Sequence, residues 1–138
     1  QKGPELLKRE IKNYSTIKHT FLPKYYGTVE NENIPIIEFI DGKTLMHIKK
    51  MQLTIKEKFA IIYQLFSIIE YFHKKNLVYR DLRPNNIIID INKTLVLLDF
   101  DRLINNSNHE DHTNNLTSLF IAPEISLGLS TKKAIFIQ

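Results

Sequence analysis

The sequence has no cysteine and no tryptophan in its 138 residues. Without cysteine, the chain has neither a disulfide framework nor a structural zinc site built from thiolates. Long apolar runs are also missing, because Gln64, Ser67 and Glu70 interrupt the most apolar region. Residues 1–12 lack the apolar core of a signal peptide. We therefore expect no membrane span and a cytoplasmic, intracellular protein.

The composition that remains is typical of a globular domain, with 43% hydrophobic and 25% charged residues. The net charge of +4 comes from lysines in scattered pairs, such as Lys49-Lys50 and Lys74-Lys75. Scattered pairs usually mark solvated faces, and no aromatic residues alternate with them. The charge pattern therefore predicts no nucleic-acid partner.

Apolar residues recur at helical spacing from Leu7 to Ile17 and predict an amphipathic helix over residues 4–18. Glu10 projects onto the apolar stripe of this helix. Taken alone, that position favours a boundary residue whose carboxylate reaches solvent, because a buried carboxylate requires a cation.

The middle of the chain predicts a hairpin and then a long helix. Residues 25–42 alternate β-favouring runs with a polar turn and end at Gly42. Thr54 and Glu57 fit a capping box that opens a helix over roughly 55–75. Apolar residues cover a wide stripe of this helix, which predicts burial on most of its sides.

A second hairpin is predicted over residues 86–100, directly after a loop that is dense in Asp, Arg and Asn. Residues 101–118 then form a polar connection that is too long for simple linkage. We find no internal repeat and no linker, so the chain is expected to be one domain or part of one.

Three stretches that contain carboxylates follow one another: RDLRPNN at 80–86, LDFD at 98–101 and TSLFIAPE at 117–124. In content, order and spacing they resemble the catalytic loop, the metal-binding motif and the end of the activation segment of protein kinases. The resemblance implies part of an α+β, two-lobed kinase fold. It also implies ATP and Mg2+ as cofactors and a protein as substrate.

The resemblance gives each polar residue of these motifs a role. Asp81 takes the position of the catalytic base, whose carboxylate aligns the substrate hydroxyl. Arg83 stands where serine/threonine kinases usually carry a lysine that faces the transferred phosphate, and it keeps the charge with a different geometry. Asn86 and Asp99 are implied to be the metal ligands, because both offer hard oxygen atoms that suit Mg2+. Tyr79 takes the place usually held by a histidine.

The resemblance extends to the N-terminal part of the chain. It assigns Glu10 to the helix glutamate that pairs with a strand lysine in kinases. Ile37 would occupy the gatekeeper position of the nucleotide pocket, and Ile88 would lie beneath the adenine ring. The positions implied to bind the nucleotide are Glu10, Ile37, Glu38, Phe39, Ile40, Ile88 and Asp99.

Regulation and substrate class are implied as well. Thr113 corresponds to the usual phosphorylation position of activation loops, and Arg80 to the usual cationic partner of that phosphate. Taken alone, Thr113 is equally well a solvated threonine. Thr117 before Ala-Pro-Glu, together with Pro84, favours serine or threonine substrates over tyrosine.

The resemblance fails in three respects. No glycine-rich loop and no strand lysine precede Glu10, most helices of the kinase C-lobe are missing, and Asp101 replaces the usual glycine. We therefore expect a partial kinase domain over residues 1–138 that is inactive alone. Residues 1–40 would be the remainder of the N-lobe, and residues 41–138 the start of the C-lobe with the catalytic loop and activation segment.

Two alternatives stay open. Asp101 and the missing lysine favour a catalytically dead kinase-like module that binds partners. An Asp-Phe-Asp ending also occurs in small-molecule phosphotransferases, although Ala-Pro-Glu belongs to protein kinases.

Overall fold

The computed structural model describes residues 3–29 and 32–105, apart from the side chains of residues 49 and 50. In chain order the elements are α1 (Pro4–Thr16), β1 (Tyr25–Val29), β2 (Ile34–Ile37), β3 (Gly42–Thr44), a 3₁₀ helix (Leu45–Lys50), α2 (Ile55–Lys74), β4 (Leu77–Tyr79), a second 3₁₀ helix (Pro84–Asn86), β5 (Ile87–Asp90), β6 (Leu95–Leu97) and β7 (Leu103–Asn105). No helix among the described residues combines the length and apolar character needed to cross a membrane.

Helix α1 begins at Pro4, whose missing amide hydrogen costs nothing in a first turn. Its buried residues are Glu10, Asn13 and Tyr14. The helix is therefore confirmed, but the inward face is more polar than its apolar stripe indicated. Glu10 is only 7% exposed, so the interpretation of a carboxylate that reaches solvent was wrong.

Strands β1 and β2 form the predicted antiparallel hairpin. The pairing shifts by one residue between Tyr25 and Gly27, where the chain makes a bulge. Gly27 has a φ of +142°, a conformation that residues with a side chain rarely adopt. Glycine at this position therefore permits the bulge.

The capping box at the start of α2 is present as predicted. The Glu57 amide donates to the Thr54 hydroxyl at 3.3 Å, and the Thr54 amide donates to the Glu57 carboxylate at 2.7 Å. The expectation that α2 is buried on most sides was wrong for the described residues. One stripe is buried (Ile61, Ile68, Ile69, Phe72), whereas the adjacent stripe is exposed (Ile55, Phe59, Ile62, Tyr63, Phe66).

The predicted second hairpin is β5–β6, and β3 extends it to a three-stranded antiparallel sheet in the order β3-β5-β6. The backbone of Gly42 lies close to β5: a Cβ on this residue would lie 2.5 Å from the carbonyl oxygen of Ile89. Glycine is therefore required for β3 to pair. The edge strand β6 is held by Gln64 of α2, whose side-chain oxygen accepts the Leu95 amide at 2.6 Å.

Strands β4 and β7 pair in antiparallel register, with Tyr79 opposite Leu103 and Leu77 opposite Asn105. This pairing was not predicted, and it places a strand at the start of the segment interpreted as a polar connection. It brings the beginning of the catalytic-loop motif beside the residues that follow Asp99. The strand before the RDLRPNN motif and the strand after the LDFD motif are therefore joined by backbone hydrogen bonds.

Candidate active site

The loop between β4 and β5 carries the side chains that the sequence singled out. Arg83 is the last extended residue before the 3₁₀ turn that Pro84 opens, and the Asn86 amide donates to the Arg83 carbonyl oxygen at 3.0 Å. The carbonyl oxygen of Asn86 accepts the Leu98 amide at 2.8 Å. The turn therefore fixes Asn86 between its own loop and the strand that leads to Asp99.

The Asp81 carboxylate is 7% exposed and has two partners. Its Oδ2 atom accepts a hydrogen bond from Asn86 Nδ2 at 2.7 Å and lies 2.9 Å from Arg83 Nη2. A buried carboxylate without such partners would be unstable, because removing it from water is costly. The loop thus compensates the charge of Asp81 with one cation and one amide.

The orientation of the Asn86 amide follows from the same contacts. Its nitrogen faces the Asp81 carboxylate, the Asp81 carbonyl oxygen at 3.0 Å and the Tyr79 hydroxyl at 3.3 Å. An ionised carboxylate only accepts hydrogen bonds, so the donor end must point towards it. The side-chain oxygen of Asn86 therefore points away from Asp81 and can serve as a ligand.

The hydroxyl group of Tyr79 links the RDLRPNN and LDFD motifs by hydrogen bonds. Its hydroxyl donates to the carbonyl oxygen of Leu98 at 2.7 Å and accepts from Asn86. Burial raises the pKa of Tyr79 well above its ordinary value of 10.0, so the hydroxyl keeps its proton at neutral pH. Tyrosine thus bridges the two motifs from the place that histidine usually holds.

Asp99 has a φ of +64°, a left-handed conformation that is uncommon for residues other than glycine. Such a conformation persists where its surroundings hold it. The Asp99 amide donates to the Tyr14 hydroxyl at 3.3 Å, and the preceding and following residues are held by Tyr79 and by the core. Its carboxylate is half-buried.

An aromatic stack supports this segment. Tyr14 stacks on Tyr25 with ring centroids 6.5 Å apart and meets the edge of Phe100 at 4.8 Å. Phe100 in turn meets Tyr79 and Phe72, each at 6.1 Å. The rings pack together residues of helix α1, strand β1, helix α2, strand β4 and the LDFD motif.

The residues implied to bind the nucleotide lie in different environments. Ile37 ends β2 and packs partly against the core, and Ile88 is half-buried on β5. The Glu38 carboxylate accepts the Lys24 amide at 3.1 Å and lies 3.7 Å from Lys24 Nζ. Phe39 is 88% exposed, and Ile40 is half-buried.

Asp101 is 5% exposed, and it is not among the described residues with a positive φ. This position therefore accepts a residue with a side chain in the conformation described, although the family usually has glycine there.

Arg80 is half-buried next to Asp81. Thr113 and Thr117 lie outside the described residues.

The site could hold a cation only through a small set of oxygen ligands. Among the described residues, no group of three or more His, Cys, Asp or Glu side chains is arranged to bind a metal. Asn86 and Asp99 fit the pattern of Mg2+, which takes one or two protein ligands and is otherwise bound by water and substrate phosphates.

Sequence reasoning missed Asn13 and the hydroxyl of Tyr14. Asn13 donates to the carbonyl oxygens of Phe100 and Leu103, at 2.6 and 3.0 Å. The only signal available was a polar side chain next to the apolar stripe of α1, and that pattern equally fits a solvent-facing residue.

Comparison with known proteins shows which family the chain resembles. The family model described as "Protein kinase domain" matches residues 1–135. The chain is 30% identical over 125 residues to the dual specificity protein kinase zak2 of Dictyostelium discoideum, covering 82% of this chain and 19% of that protein. The probable serine/threonine-protein kinase PLK of the same organism is 35% identical over 125 residues, covering 86% of this chain and 13% of that protein.

A third relative, the Aurora kinase of Saccharomyces cerevisiae, is 28% identical over 123 residues, covering 86% of this chain and 34% of that protein. The chain therefore spans between 13% and 34% of the length of these relatives.

Proposed function

This chain belongs to the protein kinase domain family, and on that premise we propose that it is the central part of an enzyme that transfers the γ-phosphate of ATP to serine or threonine hydroxyls of proteins. The observation that carries the proposal is the position of Asp81. Its buried carboxylate is held by Arg83 and Asn86 at hydrogen-bond distance. A carboxylate so fixed can align a substrate hydroxyl and accept its hydrogen bond.

Phosphoryl transfer of this type proceeds through a loose transition state, which requires positioning and charge neutralisation more than covalent chemistry. Asp81 provides the positioning. Arg83 is 38% exposed and keeps a guanidinium group next to Asp81, from which it would neutralise charge on the transferred phosphate. A planar guanidinium can donate to Asp81 and to a phosphate oxygen with different nitrogen atoms.

Asn86 and Asp99 would hold Mg2+, which bridges and neutralises the ATP phosphates when it is bound. The orientation of the Asn86 amide supports this role, since the nitrogen faces Asp81 and leaves the oxygen free to coordinate. The nucleotide itself would lie against Ile37, Glu38, Ile40 and Ile88, with Glu10 pairing the lysine that holds its phosphates. In this proposal Phe39 contributes mainly its backbone, because its ring faces solvent.

The alternative of a catalytically dead module depends partly on Asp101. The buried position of Asp101 and its ordinary backbone conformation remove the steric argument against an active arrangement. We therefore favour the active kinase, with residues 1–40 contributing to the N-lobe and residues 41–138 to the C-lobe.

We propose that phosphorylation of Thr113 regulates the transfer activity, with Arg80 binding the phosphate. A phosphate adds strong acceptors that a guanidinium can bind through charge-assisted hydrogen bonds. Replacing Thr113 with alanine in the full-length protein should lower transfer activity, and unchanged activity in Thr113→Ala and Thr113→Glu would contradict the proposal.

The function is tested with the full-length protein, radiolabelled ATP, Mg2+ and a mixture of protein substrates, followed by analysis of the labelled amino acids. We expect label on phosphoserine and phosphothreonine, and its loss in Asp99→Asn, which removes one charge from the metal site without changing its shape. Absence of transfer by the full-length protein, or full transfer by Asp99→Asn, would overturn the proposal.

A further inference from the structure

The turn that follows Asp99 is closed by its own backbone and is also attached to helix α1. The Leu103 amide donates to the Phe100 carbonyl oxygen at 3.2 Å, so that residues 100–103 form a compact turn. Asp101 lies inside this turn and is 95% buried. Nothing in a turn of this size fixes its direction relative to the active site, so that direction must come from contacts outside it.

Asn13 supplies such contacts. Its side-chain nitrogen donates to the Phe100 carbonyl oxygen at 2.6 Å and to the Leu103 carbonyl oxygen at 3.0 Å. The nitrogen of a primary amide has two hydrogens, and each has one of the two carbonyl oxygens as its acceptor. Asn13 is 9% exposed, so water does not compete for these bonds. One side chain thus holds both ends of the turn.

The neighbouring residue of α1 holds the other side of the segment. The hydroxyl oxygen of Tyr14 accepts the Asp99 amide at 3.3 Å, directly at the residue whose φ of +64° is uncommon. Consecutive helix residues therefore bind the backbone at residues 99, 100 and 103. These contacts link positions that are 85 to 90 residues apart in the sequence.

From these contacts we propose that Asn13 and Tyr14 are positioning residues. Their hydrogen bonds to the backbone of residues 99–103 form a polar clamp, and this clamp orients the carboxylate of Asp99 for metal binding. The inference rests on the proposed function of Asp99. The clamp acts through the backbone, so Asn13 touches neither nucleotide nor metal. A residue of this kind is needed because a left-handed aspartate returns to ordinary conformations when its neighbours no longer hold it.

The first test is amide hydrogen exchange across residues 99–103 of the full-length protein, which needs no activity. Asn13→Leu removes both donors and keeps a side chain of similar size. Exchange in this segment should accelerate by roughly tenfold, the scale expected for the loss of two buried hydrogen bonds. Tyr14→Phe keeps the ring in the aromatic stack and removes the hydroxyl that accepts the Asp99 amide, so it should accelerate exchange at Asp99 by about threefold.

Two variants are matched controls. Ser15→Ala removes a hydroxyl on the exposed side of the same helix, which donates to the Lys12 carbonyl oxygen at 2.8 Å. Tyr25→Phe removes the hydroxyl of the neighbouring ring in the stack, whose partner is Thr28 in the same strand. Both controls should leave exchange at residues 99–103 unchanged. Equal exchange in wild type, Asn13→Leu and Tyr14→Phe would overturn the clamp, as would a uniform acceleration over the whole domain.

The second test measures phosphate transfer as a function of Mg2+ concentration. If the clamp orients Asp99, Tyr14→Phe and Asn13→Leu should need more Mg2+ for half-maximal activity, and excess Mg2+ should restore part of the lost rate. A lower rate with an unchanged Mg2+ dependence would overturn the positioning role. If the wild type transfers no phosphate, the proposed function fails, whereas hydrogen exchange still decides whether the clamp exists.

Discussion

The side-chain amide of Asn86 donates a 2.7 Å hydrogen bond to the carboxylate of Asp81, and both groups are buried. This bond fixes two directions at once: the Asp81 carboxylate is held in the loop, and the Asn86 oxygen is turned to the opposite side. In the proposed function, alignment of the substrate hydroxyl and ligation of the metal would therefore both depend on this one contact. Changes at Asn86 should affect both.

Replacing Asn86 with aspartate tests this dependence. The change preserves the shape of the side chain but places a second carboxylate at hydrogen-bond distance from Asp81, where like charges disfavour each other. We expect phosphate transfer by the full-length protein to fall by about a hundredfold or more, as for the loss of a preorganised donor. Asn85→Asp adds the same charge to the exposed neighbour in the same turn, and it should retain nearly full activity. Equal effects of the two substitutions would contradict a specific role for the bond.

We expect the charge of Arg83 to contribute more to the transfer rate than the planar geometry of its guanidinium group. Arg83→Lys keeps a cation next to Asp81 but has no planar fork, so the transfer rate should fall by less than about tenfold. Arg83→Met keeps much of the apolar stem and removes the cation, which leaves the buried Asp81 carboxylate without its ion pair. A far greater loss is expected there. Steady-state kinetics on the full-length protein distinguish the two outcomes, and similar rates for both variants would show that the charge is unimportant.

Features that depend on local sequence were predictable. The capping box of α2, the hairpin of β1 and β2, and the hairpin of β5 and β6 each follow from residues a few positions apart. The roles of Asp81, Asn86 and Asp99 could be proposed from the resemblance, because the spacing and order of the motifs are themselves sequence properties. Asp81 and Asn86 do lie in contact.

Features that depend on distant partners were not predictable. Strand β7 has only three residues, and its partner β4 is separated from it by the whole catalytic loop; so short a strand gives no periodic signal. Asn13 is buried where its side chain donates to the backbone of residues 100 and 103, and no residue near it in the sequence indicates that partner. The burial of Glu10 was likewise not indicated by its neighbours in the sequence. On α2 the apolar pattern predicted burial of a stripe that is exposed, because the pattern does not indicate which of the two stripes packs against the rest of the chain.

That exposed stripe leads to a prediction about the isolated chain of residues 1–138. Phe59 is 67% exposed and Phe66 is 52% exposed on the same side of α2, and contiguous apolar surface of this kind promotes association. The isolated chain should bind a hydrophobic dye or aggregate, and Phe59→Lys combined with Phe66→Lys should weaken both effects. Ile91→Lys changes one separate exposed residue, 76% exposed on the β5–β6 turn, and should have little effect. A monomer that melts cooperatively without binding dye would refute this prediction.

His19 should make stability depend on pH. Burial lowers the pKa of His19 below its ordinary value of 6.5, and its Nδ1 atom accepts the Phe21 amide at 3.3 Å. The unfolded chain then binds more protons than the folded one, so the free energy of unfolding is highest above about pH 6.5 and falls as the pH drops towards the lowered pKa.

The measurement is the unfolding midpoint of the full-length protein at about pH 5 and about pH 8, in wild type and in His19→Asn. Asparagine offers an oxygen near the position of Nδ1 but does not titrate. The decrease in midpoint between the two pH values should therefore be smaller in the variant. An identical decrease in both proteins would show that His19 does not contribute.

The role of Asp81 is tested most directly by measuring transfer rate and ATP affinity together in the full-length protein and its Asp81→Asn variant. Asparagine keeps the size of the side chain but removes the charge that, in the proposed function, aligns the substrate hydroxyl, whereas other residues would bind the nucleotide and Mg2+. The transfer rate should fall by about a thousandfold or more, and the dissociation constant for Mg-ATP should stay within about threefold of wild type. Full transfer activity in Asp81→Asn, or a loss of ATP binding that accounts for the whole loss of rate, would contradict the assignment of Asp81 as the residue that aligns the phosphate acceptor.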